Sequence, residues 1–74
     1  MKETVIEILA SIRPDVDFES AEGLVSGGIL ESFDLVSLIS ELSDEFSVTI
    51  SAKELVPENF DSVDAIVKMI ESLR

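Results

Sequence analysis

The chain has 74 residues, 16 of them Asp or Glu against 5 Lys or Arg, for a formal charge of −11 and an apolar share of 46%. Cysteine and histidine are both absent, which excludes a disulfide framework, a thiolate metal site and the usual proton shuttle, and so points away from an enzyme. So acidic a surface repels nucleic acid and anionic lipid and favours basic protein surfaces, while the apolar share is that of a folding chain.

One domain is expected over residues 1–74, burying only about 60% of its unfolded surface. The first element carries Val5, Ile8, Leu9 and Ile12 at i, i+3, i+4, i+7, the inward stripe of an amphipathic helix, which Pro14 closes. Charges interrupt this opening pattern, so it does not read as a secretory segment. No apolar run reaches membrane-spanning length, and a cytoplasmic location is expected.

A long connection follows, roughly residues 14 to 31, with Gly23, Gly27 and Gly28. A loop of that length must be anchored, and Phe18, Leu24, Val25, Ile29 and Leu30 are placed to pack onto the helices. Within it, "DVDFESAEGLVS" opens like a calcium loop. Ser20 stands at the glycine position, however, and Ser26 at the closing glutamate position, so no metal site is expected. "SGG" lacks the lysine and spacing of a phosphate-binding loop.

The second helix repeats the apolar template with Leu35, Leu38, Ile39 and Leu42, extended by Phe46. "SVTI" (47–50) alternates as a strand does but has no partner strand, and "SAKELVPENF" predicts a short helical turn before Pro57. The last helix carries Val63, Ile66, Val67 and Ile70, flanked by Leu73. Asp61 is its expected N-cap, with Asp64 as a weak capping-box partner. The fold class is therefore all-α: a small four-helix bundle of three main helices and one short one, with a long loop between the first two.

Ser32 stands where the glycine-containing loop enters the second helix. An N-cap role would account for it, although Leu35 rather than an acid lies three residues on. The rest of the helix suggests a larger reason. At about 100° per residue, with Leu35 as zero, the core stripe lies within roughly 60°, Val36 near 100° and Phe33 near 160°. Phe33 and Val36 thus face outward with the small residues Ser37 and Ser40, as a docking patch would. The alternative for Phe33 is a cover formed by the long loop. Glu31, Asp34, Glu41, Asp44 and Glu45 cluster around the same helix. They read either as a solvated face or as a negative field for a basic partner. No neighbouring base activates Ser32, so any chemistry at its hydroxyl must come from another protein.

"ILESFDLVSLI" resembles the signature of the acyl carrier protein family, in which an Asp-Ser-Leu turn begins the second helix of a four-helix bundle; here the turn is Glu31-Ser32-Phe33. The likeness extends through the first helix, the long loop, "SDEFSVTI" and the last helix "DSVDAIVKMI". It implies that Ser32 receives a covalent 4′-phosphopantetheine arm from coenzyme A through a separate phosphopantetheinyl transferase. The arm's thiol would then carry an acyl group as a thioester and deliver it to enzymes with basic docking surfaces. The resemblance also places Glu31, Phe33, Asp34, Val36, Ser40, Glu41 and Asp44 at partner-contact positions, and a monomer is expected. The leading expectation is an acyl carrier for fatty acid or polyketide synthesis. The alternatives are an aminoacyl (for example D-alanyl) or peptidyl carrier, and an unmodified acidic interaction module. Ser37, where fatty-acid carriers commonly have glutamate, and "ISAKELVPENFDSVDAI" look closer to standalone carriers outside primary fatty acid synthesis.

Overall fold

Apolar spacing through three stretches of the chain builds the fold. A computed structural model describes residues 1–74, the side chain of Ala52 excepted. It contains α1 (Lys2–Ile12), α2 (Ser32–Phe46), α3 (Pro57–Phe60) and α4 (Val63–Leu73), with a 3₁₀ turn at Ala52–Glu54 and no strand among the described residues. The α1 helix packs against α2 and α4, and α3 packs against α4. Val5 and Leu9 of α1, Leu38 and Leu42 of α2, and Ile66 and Ile70 of α4 meet in a core from which solvent is excluded. These are the positions that the helical template selects. On α4, Met69 is buried and Val67 only half-buried, so the stripe is rotated slightly from the expected one.

The long connection is held by its own apolar residues. Phe18, Leu24 and Leu30 are buried in the same core, with Val25 and Ile29 packed against it. The turn before Ser32 is tight: Gly27 N–H donates to the Gly23 carbonyl at 2.7 Å. A Cβ on Gly27 would lie 2.6 Å from that oxygen, closer than a side chain tolerates.

Asp61 makes the second anchor, which corrects the expectation that it caps α4. Its Oδ1 accepts the Val25 and Ser26 N–H groups, each at 2.9 Å, and its Oδ2 accepts the Ser26 hydroxyl at 3.0 Å. The Asp61 carbonyl accepts Leu24 N–H at 2.9 Å. These bonds, the Ser26 N–H foremost and then that of Val25, hold the Asp61 carboxyl below the usual aspartate range. The cap of α4 is instead Ser62, whose hydroxyl accepts Ala65 N–H at 3.1 Å.

In keeping with its lack of a partner strand, "SVTI" forms no strand: Ser47 closes α2 in the left-handed conformation (φ 53, ψ 45), and Val48 turns into the core. The 3₁₀ turn lies before Pro57 as expected, but a further short helix begins at Pro57 itself. There the missing N–H is no loss, and the helix delivers Phe60 to the core.

Candidate functional site

Ser32 is the first residue of α2 and not its N-cap. Glu31 holds the cap position in an extended conformation (φ −94, ψ 171). Its N–H donates to Asp34 Oδ2 at 3.1 Å, the acid half of a capping box. The acid sought three residues beyond Ser32 is found three residues beyond Glu31. The capping explanation for Ser32 therefore falls. Its side chain is exposed at the helix entrance, and among the described residues no hydrogen bond engages its hydroxyl.

Phe33 is 81% exposed and Val36 68%, whereas Leu38, two residues on, is fully buried. The long loop does not cover Phe33. Phe33, Asp34, Val36, Ser40 and Glu41 line one open groove along α2, completed by Ser37 and by Ser11 and Ile12 at the end of α1. Glu31 and Asp44 are exposed but do not line this groove.

Arg13 was not singled out by sequence, yet it ties the site together. It is the C-cap residue of α1, its N–H bonded to the Leu9 carbonyl at 2.8 Å. Its guanidinium Nη1 donates to the Ile29 carbonyl at 2.9 Å and to Asp34 Oδ2 at 3.2 Å. Two longer contacts of 3.4 Å reach Asp15. Bonds to Asp15 and Asp34 push the Arg13 pKa up, and the Arg13 guanidinium holds the Asp15 carboxyl below its ordinary range. A local reading of "SIRP" shows only one of the chain's few cations, because its partners lie 16 and 21 residues away.

The acids of this face do not assemble a metal centre: among the described residues, no three Asp or Glu side chains converge. The α2 entrance does suit a phosphodiester on Ser32. The hydroxyl is exposed, the first-turn N–H groups of a helix lack intrahelical partners, and the helix dipole favours negative charge there. Two carboxylates oppose that charge, and Arg13 pairs with one of them.

No protein-family model matches the chain. Among curated proteins it is similar to the D-alanyl carrier protein of Streptococcus suis (strain 98HAH33), with 30% identity over 74 residues, 99% of this chain and 94% of the relative. It is also similar to the D-alanyl carrier proteins of Streptococcus pyogenes serotype M5 (strain Manfredo) and serotype M1. Each is 32% identical over 75 residues, covering all of this chain and 95% of the relative. The chain belongs to the phosphopantetheine-binding carrier protein family.

Proposed function

We propose that this protein is an aminoacyl carrier, with D-alanine as its favoured cargo, and that its 4′-phosphopantetheine arm is attached to Ser32. The full-length likeness to proteins named D-alanyl carriers supports this reading. It favours the aminoacyl alternative over the fatty acid or polyketide cargo put first on sequence grounds. When bound, the arm supplies the thiol on which cargo is held as a thioester.

Ser32 Oγ would attack the phosphorus of coenzyme A that bears the pantetheine, releasing adenosine 3′,5′-bisphosphate. Its proton would go to a base of the transferase, since the chain has no histidine. Phe33 and Val36 would then hold partner enzymes by apolar contact, with the exposed Glu31, Glu41 and Asp44 drawing their basic surfaces and Ser40 leaving the groove open beside Val36; Asp34, 13% exposed and paired with Arg13, would line the groove without acting as a free charge.

The test is loading of the phosphopantetheinylated protein by an ATP-dependent D-alanine-activating ligase, read by intact mass. One hydroxylamine-labile D-alanyl group is expected. Failure to load D-alanine, with ready loading by an acyl-activating ligase, would return the cargo to the acyl class.

A further inference from the structure

We infer that Arg13 is a positioning residue for arm transfer: it locks the segment ahead of Ser32 and offsets one of the two acids that oppose a phosphate there. The inference rests on Ser32 being the attachment site. The geometry carries it. One guanidinium nitrogen, Arg13 Nη1, bridges the Ile29 carbonyl at 2.9 Å and Asp34 Oδ2 at 3.2 Å. The same Asp34 oxygen accepts Glu31 N–H at 3.1 Å. A continuous chain of bonds therefore runs from the end of α1, through the loop two residues before the cap, to the cap and first turn of α2. Ser32 lies inside that chain without belonging to it.

The pair is partly shielded. The Asp34 side chain is 13% exposed and that of Arg13 31%, so solvent screens it less than a surface pair. Asp34 cannot turn its full charge on an incoming pyrophosphate while Arg13 holds it. Without Arg13, the Ile29 carbonyl loses its tether, Asp34 is held by the Glu31 N–H alone, and the hydroxyl of Ser32 is presented by a looser turn. Glu41 and Asp44, further along α2, are left unchanged as encounter charges. The effect should therefore fall on the transfer step and not on docking.

The experiment measures steady-state transfer from coenzyme A by a promiscuous phosphopantetheinyl transferase, read by intact mass, with thermal melts run beside it. The proteins are wild type, Arg13→Gln, Arg13→Lys, Asp34→Asn and the Arg13→Gln/Asp34→Asn double variant. Loss of a charge-assisted bond network of this kind should lower kcat about tenfold in Arg13→Gln with KM unchanged. Arg13→Lys should recover most of the rate. The double variant should be no slower than the slower single variant, because both substitutions break the same pair. Modification of wild type and Arg13→Gln at equal rates would overturn this inference and leave the carrier reading standing. So would a rise in KM with kcat intact, or strictly additive losses in the double variant. Should Arg13→Gln be too unstable to assay, the Arg13→Lys and Asp34→Asn comparison decides by the same criteria. Failure of wild type to be modified at all would overturn the Ser32 assignment and this inference with it.

Discussion

Val36 and Leu38 sit two residues apart on α2 and face opposite surroundings, solvent and core. Leu38 is fully buried, and Leu38→Ala should cost about 2–5 kcal/mol through lost burial and the cavity left behind, enough to threaten so small a fold. Val36→Asp should leave the thermal midpoint nearly unchanged, since its side chain meets mostly solvent, and should weaken recognition by a transferase or ligase. Thermal melts on the two variants check the pair; collapse of Val36→Asp would remove the docking face. This contrast was legible from sequence because 100° periodicity separates the two positions without any knowledge of partners. The role of Glu31 was not, because glutamate is not among the preferred cap residues and the acid at Asp34 was sought one position too late. Arg13 was illegible for a different reason: its function consists of contacts that only the folded chain creates.

At the level of elements, the three long helices and the anchors of the loop follow directly from apolar spacing. What escaped was the choice between neighbouring polar residues. Asp61 and Ser62 both suit an N-cap, and only tertiary structure decides, by giving Asp61 the loop N–H groups to bind. Ser62→Ala should therefore destabilise the protein by about 0.5–2 kcal/mol, measured by chemical denaturation.

Asp61 should make the loop clasp acid-sensitive. Its folded pKa lies below its unfolded value, so its contribution is complete above the unfolded value of about 3.9 and is lost as pH falls through the folded one. Amide exchange at Val25 and Ser26 should accelerate relative to the core as pH is lowered through that window, after correction for intrinsic exchange. Asp61→Asn should remove that dependence. An unchanged pH dependence in the variant would mean that another group governs the clasp. The short fourth helix was expected, but before Pro57 and not from it, because four residues carry no periodicity and only Pro57 at its first position marks where α3 starts.

Taken whole, the molecule is a packed helical body under a strongly acidic surface, with a radius of gyration of 10.9 Å. That is close to the roughly 11 Å expected of a compact chain this long, so the long loop lies against the helices. The charge of −11 acts over the surrounding solvent within a screening length of about 8 Å at physiological salt. Association with a basic partner should slow as salt rises, and Glu41→Lys with Asp44→Lys should lower the association rate more than they raise the dissociation rate. Stopped-flow binding at two salt concentrations checks this. Rates indifferent to both changes would reduce the acidic face to a solvated one.

All of these properties gain a common purpose only if the exposed hydroxyl at the head of α2 carries the arm. The most direct test is the intact mass of wild type and Ser32→Ala after incubation with coenzyme A and a phosphopantetheinyl transferase. Wild type should gain one phosphopantetheine and Ser32→Ala none, while remaining folded because Glu31 and not Ser32 caps the helix. Modification of Ser32→Ala, or an unmodified wild type under conditions that modify another carrier, would contradict the account.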